Sequence, residues 1–461
     1  MIKKRMKIIL TYPPIQKNPL FPLNNVLPPL GIAYLSACLK EAGYDAMAVD
    51  MSTWEWNKVA HFIERERPDV LGASCFTDTR HQAFEVLRIA KRVCPGVTTL
   101  IGGPHATFLD EQILSNYHAD IVVRGESELT IVKLMKFLSH GQKIERVDGI
   151  TFKRNNEIIR TKTRNFISDL NSLPLPDYSF FDMKDYRDHN KKSVYSSDKG
   201  IGKIWGSIIT SRGCPFSCQF CSSSSFWGHC WRGRSAKSIV DEMKMLVDLG
   251  VEYLSIADDN FLFDQRRVID ICKRMIEKRI KIPFFCEGRV NNQTRECMQW
   301  LKKAGCDLVL FGVESGSPTI LKEIDKKITP EQATAAFKMA KEAGLRVGCF
   351  LMIGNPNESD KTIKETEDWL DKADIDFPSV ALTRVYPNTR LYSLSKEKGF
   401  MDDSYWLTPN ITPYYTAEHS LLTLRKFQFR IVSKFLRKKG TIPYMKFLFS
   451  QMMKIGKRIR E

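Results

Sequence analysis

The sequence predicts an α/β protein with two successive series of parallel strands and helices, followed by a small helical region. Short apolar runs alternate with segments of helical periodicity over residues 1–140 and again over residues 199–400. Such alternation is typical of β-α units that form a parallel sheet. Parallel sheets bind ligands beyond the carboxyl ends of their strands, so we expect the functional loops there.

The first series, residues 1–140, contains five predicted strands. Three loops, GASCFT, IGGPHAT and VRGESE, follow predicted strands and should therefore lie on one rim of the sheet. The strands are predicted at KIILTY, at the run ending in AVD (48–50), and at DVLGASC, VTTLIGG and DIVVRG, with helices at LGIAYLSACLKEAG and at residues 80–93.

The second series, residues 199–400, contains six predicted strands and is expected to curl into a partial (β/α)6 barrel. The cysteine-rich loop SRGCPFSCQFCSS (211–223) directly follows its first strand, where functional loops of such barrels cluster. The strands are predicted at IWGSIITS, VEYLSIAD, FFCEGRV, DLVLFGVES, RVGCFLMIG and FPSVALTRVY.

Residues 141–198 connect the two series and lack their regular alternation of predicted strands and helices. The stretch DGITFKRNNEIIRTKTRNF predicts a small hairpin with a turn at Asn155 and Asn156. The following SDLNSLPLPDYSFFDMKDY is rich in Pro, Asp and Ser and is predicted to be an extended linker.

Residues 401–461 form the predicted basic helical region. From Arg425 to Arg460 there are twelve Lys or Arg residues and no acid. Such a helix can lie on an anionic bilayer or can pack its apolar stripe on the barrel. We expect packing for the first half and surface contact for the last turns. The stripe comprises Leu424, Phe427, Ile431 and Phe435, and later Phe447, Leu448, Met452 and Ile455.

Composition narrows the class of protein. The chain has 461 residues, 43% apolar, and a formal net charge of +17, which alone is compatible with an ordinary basic protein. The opening MIKKRMKIILTYPP predicts a first strand rather than a signal peptide, and no apolar stretch reaches the roughly 18 residues of a membrane span. The twelve cysteines are therefore expected in a reducing, cytoplasmic compartment, where clustered thiols indicate metal binding or catalysis.

Three cysteines, Cys214, Cys218 and Cys221, follow the spacing C-x3-C-x2-C. Zinc prefers four protein ligands, and His229 or Cys230 could supply a fourth. A [4Fe–4S] cluster instead takes one thiolate for each iron, so three cysteines leave one iron open. The spacing and the barrel that follows favour the cluster over zinc.

With this motif, residues 200–395 resemble the radical S-adenosylmethionine (SAM) enzymes. The resemblance implies that the amino and carboxylate groups of SAM chelate the open iron, and that reduction of the cluster yields a 5′-deoxyadenosyl radical. Loops at successive strand ends match the SAM-binding motifs of that family. The implied SAM-binding residues are Phe220, Asp258, Asp259, Arg289, Glu314, Ser315, Gly354, Pro356 and Tyr386.

Residues 1–140 resemble the cobalamin-binding domain of B12-dependent radical SAM enzymes, which has a Rossmann-like, flavodoxin-like fold. The matching segments are YPP at 12–14, residues 28–50, GASCFTDT, IGGPHAT and VRGESE. The D-x-H-x-x-G motif that supplies an axial His in other B12 proteins is absent. The alternative to a cobalamin-binding domain is a domain that keeps this fold but does not bind cobalamin. The implied cobalamin-binding residues are Pro13, Ser74, Thr77, Gly102, Gly103, His105, Thr107, Gly125 and Glu126, with His105 expected as a hydrogen-bonding group rather than a cobalt ligand.

Together these resemblances imply a cobalamin-dependent radical SAM methyltransferase that methylates an unactivated carbon through methylcobalamin and a 5′-deoxyadenosyl radical. The first alternative is a radical SAM enzyme of the same type that cyclises, rearranges or oxidises its substrate. The second alternative is RNA modification, suggested by the charge and by the methylthiotransferases. Those enzymes carry three further cluster cysteines, whereas Cys38, Cys75 and Cys94 fall in different predicted elements here. No polar catalytic residue beyond the cofactor sites is predicted.

The expected partners are a small-molecule or lipid substrate and a reductant such as flavodoxin or ferredoxin, rather than nucleic acid. The basic C-terminal helix adds the hypothesis of peripheral membrane contact.

Overall fold

The computed structural model describes residues 6–15, 27–187, 200 and 202–440. Its first half contains a seven-stranded sheet with helices on both faces. The strands are β1 (Lys7–Tyr12), β2 (Asp45–Asp50), β3 (Val70–Ser74), β4 (Thr98–Gly102), β5 (Ile121–Val123), β6 (Ile150–Arg154) and β7 (Glu157–Arg160). The helices are α1 (Leu30–Glu41), α2 (Trp56–Glu66), α3 (Arg80–Val93), α4 (Pro104–Phe108), α5 (Asp110–Asn116) and α6 (Glu128–Ser139).

The strand order is β2-β1-β3-β4-β5-β6-β7, and the first five strands are parallel. The order 2-1-3-4-5 is that of flavodoxin-like folds, which confirms the predicted fold class. The three predicted loops begin at the carboxyl ends of the neighbouring strands β3, β4 and β5, so they share one rim.

The hairpin predicted between the two series belongs to the first sheet. Its strand β6 pairs antiparallel with β5, and its turn places Asn155 and Asn156 in the left-handed region, at φ 48° and 66°. An exposed edge of β5 would leave backbone groups unpaired, and the hairpin covers that edge. The first sheet therefore extends to Arg160, beyond residue 140, where the sequence placed the end of the first domain.

The second half contains the barrel. The barrel strands are β8 (Trp205–Ile208), β11 (Tyr253–Ile256), β12 (Phe284–Gly288), β13 (Cys306–Glu314), β14 (Arg346–Ile353) and β15 (Phe377–Leu382). A separate antiparallel pair is formed by β9 (Ser211–Arg212) and β10 (Arg232–Gly233). The helices of this half are α7 (Ser222–Phe226), α8 (Ala236–Asp248), α9 (Gln265–Glu277), α10 (Arg295–Lys303), α11 (Pro318–Glu323), α12 (Pro330–Glu342), α13 (Asp360–Lys372) and α14 (Arg390–Glu397), followed by the C-terminal α15 (Leu421–Lys438).

The six long strands run parallel in the order β8-β11-β12-β13-β14-β15, which confirms the six predicted strands. Large inward-facing side chains close the amino end of the barrel; Trp205 and Tyr253, for example, pack with ring centroids 4.6 Å apart. Towards the carboxyl ends, the inward positions Ala257 and Ala381 are exposed, and Met352 is half-buried. The barrel interior is therefore open at the end that carries the cysteine loop.

Helix α15 packs against β15 and α13 through its apolar stripe. Arg430 and Lys434 on this helix form ion pairs with Glu367 and with Asp371 of α13, the second at 2.6 Å. The packing predicted for the first half of the basic region is thus observed. The predicted surface contact of Phe447, Leu448, Met452 and Ile455 lies outside the described residues.

A buried ion-pair cluster joins the two domains. Arg212, at the end of β9, donates from its two terminal nitrogens to Glu126 and Glu128 of the first domain, each at 2.6 Å. Arg232 of β10 pairs with Glu126 at 2.9 Å. Burial alone would lower the pKa of Arg212, but Glu128 and Glu126 together raise it. The side chains of Arg212 and both glutamates are at most 7% exposed, so their charges depend on one another.

Two further contacts tie the first domain to the end of the barrel. Arg80 is buried and donates to the carbonyls of Trp406 and Thr408 at 3.3 and 3.1 Å. Asp78 accepts from Arg384 at 2.9 Å and from the Thr412 hydroxyl at 2.5 Å. The domain interface is therefore fixed on both sides.

We expect Glu126→Gln to lower the free energy of unfolding by about 3 kcal/mol, because it leaves two buried arginines without their shared carboxylate. Urea denaturation of the apoprotein measures this loss. The control is Asp241→Asn, which removes the exposed ion pair of α8 with Lys237 and should cost less than about 0.5 kcal/mol. Equal losses in the two variants would contradict the role given to the buried cluster.

Candidate cofactor-binding site

The cysteine loop runs from β9 into α7 and carries Cys214, Cys218 and Cys221. The three thiols are unbridged, and Cys214 and Cys218 are buried. Gly213 begins the loop at φ 85°, and a Cβ on it would lie 2.1 Å from the carbonyl oxygen of Cys230. Only glycine can therefore begin this loop as it is packed.

Polar groups surround the thiols. Arg289 donates to Cys218 Sγ at 3.2 Å, and the Ser224 hydroxyl donates to Cys221 Sγ at 3.8 Å. Burial raises the pKa of Cys214 and Cys221, so the free thiols hold their protons. Metal binding would replace those protons, and the Arg289 guanidinium would stabilise the resulting thiolate charge.

The arrangement distinguishes a cluster from a single ion. Within residues 6–15, 27–187, 200 and 202–440, no group of three or more His, Cys, Asp and Glu side chains converges to hold one metal ion. The zinc alternative needs such convergence, and Cys230 Sγ instead lies 2.9 Å from the carbonyl of Trp227. An iron–sulfur cluster needs only one thiolate at each of three corners. The donor set therefore fits the cluster better than zinc.

Several predicted SAM-binding carboxylates already have protein donors. Asp258 accepts from the Thr210 backbone N–H and from the Ser211 hydroxyl, both at 2.6 Å. Asp258 thereby connects the segment after β8 with the end of β11, and its side chain is buried. Asp259 accepts from the Gly213 N–H at 3.0 Å, but its side chain faces open space.

Arg289, Glu314 and Ser315 are likewise held by protein groups. Besides Cys218, Arg289 donates to the Lys326 carbonyl and stacks on Phe216, 3.8 Å from the ring centroid. Ser315 lies 3.0 Å from the Thr366 hydroxyl and is 1% exposed. Glu314 pairs with Lys326 at 2.7 Å. Arg289 thus contacts a cluster cysteine, where the sequence placed it at SAM itself.

The remaining predicted SAM residues lie in loops around the barrel mouth. Gly354 adopts φ 93° and donates its N–H to Glu358 at 2.5 Å, which fixes the loop that contains Pro356. Burial raises the pKa of Glu358 to about 7. Phe220 packs beside β15 and α14, against the cluster formed by Val385, Leu391, Tyr392, Met401, Trp406 and Tyr415.

A cavity of about 540 Å³ lies between the two domains. One wall consists of rim loops of the first domain, and the other carries α7, Asp259 and Tyr386 of the barrel. The predicted residues that line it together are Ser74, Thr77, Gly102, Gly103, Gly125, Glu126, Asp259 and Tyr386. Cofactor sites typically have this size and lie between domains.

Three predicted cobalamin residues do not line this cavity. Pro13 is buried elsewhere, and Thr107 donates to the Gly103 carbonyl and accepts from the Gly125 N–H, which ties two rim loops together. His105 is 1% exposed, with Nδ1 3.3 Å from the Thr77 hydroxyl. Burial, followed by the charge of Arg80, lowers the pKa of His105 to about 3, so it stays neutral. These three residues therefore lie outside the wall of the cavity.

Glycine residues on the wall of the cavity leave room for a large flat ligand. Gly31, in the first turn of α1, and Gly125 both line the cavity, and a Cβ on either would meet no atom within 4 Å. Gly103 adopts φ 102°, and its Cβ position is blocked by the Cys75 carbonyl at 2.8 Å. Bare backbone therefore faces open space on this rim, which fits close approach of a corrin ring.

Glu287 is a titratable group that the sequence did not single out. It points into the barrel from β12, next to Leu310 of β13. Burial is the main reason that the pKa of Glu287 rises to about 7, and the charges of Asp259 and Glu314 add to it. The open end of the barrel thus holds a carboxyl group that can be neutral at physiological pH.

Comparison with known proteins identifies the family to which this chain belongs. Residues 208–370 match the model of the radical SAM superfamily, and residues 21–135 match that of the B12 binding domain. An uncharacterised methyltransferase of Pyrococcus horikoshii is 33% identical over 441 residues, which are 94% of this chain and 92% of the relative. The chain belongs to the radical SAM family that carries a B12 binding domain.

Two further comparisons concern a relative that is named for a different reaction and a solved structure with the same fold. The anaerobic magnesium-protoporphyrin IX monomethyl ester cyclase of Cereibacter sphaeroides is 30% identical and matches 74% of this chain and 55% of its own length. The cobalamin-dependent SAM radical enzyme OxsB, solved with aqua-cobalamin, superposes with a TM-score of 0.76 at 19% identity, over 98% of this chain and 71% of OxsB. The predicted family, fold and enzyme class, a radical SAM methyltransferase, are confirmed, as are the three predicted cofactors.

Sequence reasoning missed the part of this radical SAM protein that closes the cavity. The missed residues are Gly31, Ile32, Tyr34 and Leu35 of α1, Arg212 of β9, and Ser222 and Ser223 of α7. Gly31 carried a usable signal, because glycine is a poor helix former and here stands inside an otherwise apolar helix. The ion pairs of Arg212 join residues 84 and 86 positions apart, a separation that no local pattern reports.

We expect Gly31→Val to reduce the corrinoid content of the purified protein at least tenfold, because the new side chain projects into the cavity, where its Cβ would meet no protein atom within 4 Å. Absorbance of the extracted corrinoid measures this loss, and iron content should stay unchanged. Gly96→Val is the matched control, since its Cβ also meets nothing within 4 Å and Gly96 lies away from the cavity. Full corrinoid content in Gly31→Val would contradict the assignment of the cavity.

Proposed function

We propose that this chain methylates an unactivated carbon of a small molecule, with SAM held at the cysteine loop and cobalamin held on the rim of the first domain. The observation that carries the proposal is the shared cavity, which borders α7 and Asp259 on one side and the glycine loops on the other. When bound, the cluster supplies the electron that cleaves SAM, and cobalamin supplies the methyl group.

The chain itself performs four tasks in this reaction. Cys214, Cys218 and Cys221 would hold the cluster, with Arg289 at the thiolate of Cys218. Asp259 faces the cavity and can accept a hydrogen bond from SAM. Tyr386 lines the cavity, and its hydroxyl lies 3.5 Å from Asp78, so it orients the barrel wall against the first domain. Burial raises the pKa of Tyr386 to about 12, which keeps the phenol protonated.

The substrate space is mainly apolar. Leu35, Phe76, Phe226 and Trp227 all line the cavity, and Phe76 is 46% exposed. Such a wall supports an apolar or lipid-like substrate over nucleic acid. The reductant is expected to be a flavodoxin- or ferredoxin-type protein.

Reconstituted protein with dithionite and SAM should form 5′-deoxyadenosine continuously and S-adenosylhomocysteine in a single burst of about one equivalent per bound corrinoid. Liquid chromatography under anaerobic conditions measures both. Cys218→Ala should abolish 5′-deoxyadenosine, whereas Gly31→Val should abolish only the burst. Formation of 5′-deoxyadenosine without S-adenosylhomocysteine by corrinoid-loaded protein would refute methyl transfer and favour the cyclase-type alternative.

Peripheral membrane contact is the second part of the proposal. No described helix is both long and apolar enough to cross a bilayer. On the outer face of α15, however, Leu421, Leu422 and Phe429 are 44%, 67% and 40% exposed, beside exposed Lys426. Apolar and basic side chains on one face, with no acid from Arg425 to Arg460, suit an anionic membrane surface.

Replacing Leu421, Leu422 and Phe429 with Ser should reduce flotation of the full-length protein with phosphatidylglycerol-containing liposomes at least threefold, because the apolar contribution is lost. The control replaces Val247, Leu249 and Ile276, which are exposed on α8, after its end and on α9. Equal flotation of all three proteins would remove the support for contact through α15.

A further inference from the structure

A buried arginine lies beside the cysteine loop without a carboxylate partner. Arg289 follows β12 and is 6% exposed. Among the residues that the structure describes, its guanidinium donates to an amide oxygen, a backbone carbonyl and a thiol, and to no carboxylate. The buried Arg212 and Arg234, by contrast, each pair with a glutamate. A buried charge without a counter-charge is costly, so the surroundings of Arg289 need a negative group.

Four contacts fix the guanidinium. Nε donates to Asn291 Oδ1 at 3.1 Å, one terminal nitrogen donates to the Lys326 carbonyl, and the other donates to Cys218 Sγ at 3.2 Å. The face of the guanidinium stacks on the Phe216 ring, 3.8 Å from its centroid. All four partners are neutral while the thiol of Cys218 is protonated. Cys218 is therefore the one among these partners that can become negative.

The backbone of Arg289 is held as firmly as its side chain. Its N–H donates to Asn260 Oδ1 at 3.3 Å, and its carbonyl accepts from Gln293 Nε2 at 2.8 Å. Asn260 follows β11 and is 2% exposed, so the end of a neighbouring strand contributes to this position. The protein alone therefore fixes the guanidinium at Cys218, and little conformational entropy is lost when Cys218 becomes a ligand.

The cluster cysteines differ in the donors that they receive. Cys221 accepts from the neutral Ser224 hydroxyl at 3.8 Å, whereas Cys218 accepts from a cation. A hydrogen bond from a charged donor is roughly twice as strong as one between neutral groups. Arg289 is thus the strongest hydrogen-bond donor that the described side chains supply to a cluster ligand.

A cation at a ligand sulfur changes how readily a cluster is reduced. Reduction of a [4Fe–4S] cluster adds one electron, and therefore one negative charge, to a group that already carries three thiolates. A fixed positive charge stabilises the more negative state more, and the effect is strong where protein excludes water. Hydrogen bonds to the sulfurs and burial are among the means by which proteins set the potentials of such clusters.

We propose that Arg289 is the counter-ion of the reduced cluster and raises its reduction potential, as a positioning residue that acts through Cys218. This inference rests on the part of the proposed function that places a [4Fe–4S] cluster on the cysteine loop, and not on methyl transfer. The step concerned is the uptake of one electron from dithionite or from a flavodoxin- or ferredoxin-type protein, and no bond forms or breaks in it. Arg289 thus helps to decide whether such a reductant can start the reaction.

The test is an anaerobic redox titration of the cluster-loaded protein without SAM, in which electron paramagnetic resonance measures the reduced cluster. Arg289→Met should lower the ratio of reduced to oxidised cluster at a fixed potential at least tenfold, which corresponds to a midpoint about 59 mV more negative for a one-electron couple. Arg289→Lys keeps the charge but not the planar donors, so it should restore part of the potential. Iron content should stay unchanged in both variants.

Arg295→Met is the matched control, because Arg295 is exposed at the start of α10 and pairs with Glu342 of α12. Its midpoint should equal that of the wild type. If Arg289→Met loses the cluster, Arg289→Gln takes its place, since it removes the charge but keeps an N–H donor, and its midpoint should shift in the same direction. Loss of iron from both of these variants, with full iron in Arg289→Lys, would also support the counter-ion.

Two outcomes would overturn the inference alone. One is a wild-type midpoint in Arg289→Met or Arg289→Gln with full iron content, which would show that the charge does not act on the cluster. The other is loss of iron from Arg289→Lys as well, which would show a merely structural role. Wild-type protein that assembles no [4Fe–4S] cluster would overturn the proposed function with it.

Discussion

The site depends on the buried ion pairs of Arg212 with Glu126 and Glu128. They place the strand that precedes the cysteine loop against the first domain, and the cavity exists only because the two domains meet there. Arg212 ends β9, and the first cluster cysteine follows two residues later. The same side chain therefore sets both the domain orientation and the start of the cysteine loop.

Carboxylates at the barrel mouth divide into two groups. Asp258 and Glu314 are buried and satisfied by protein donors, whereas Asp259 lines the cavity while it accepts from the Gly213 N–H, and Glu287 is half-buried inside the barrel. Both of the latter have a raised pKa, in each case mainly through burial. The site thus presents carboxyl groups of reduced charge beside the apolar wall of the cavity.

The sequence was sufficient for the two series of strands and for the cysteine motif, because periodicity and spacing are local properties. It also placed Ser74, Gly102 and Gly125 on one rim, since neighbouring parallel strands end at the same edge. It did not indicate the contacts of Asp258 with Thr210 and Ser211, because these partners are 48 and 47 positions away in the chain. The hairpin was predicted correctly, but its membership of the first sheet depends on pairing with β5, which sequence separation conceals.

Gly213 separates Arg212 from Cys214 and is enclosed on its open side by the Cys230 carbonyl and by the Trp227 side chain. No other residue fits between Arg212 and Cys214 in this packing, because a side chain there would collide with both groups. Movement of the first domain would consequently shift the peptide that carries Cys214. Arg212 therefore couples the position of the first domain to the position of Cys214.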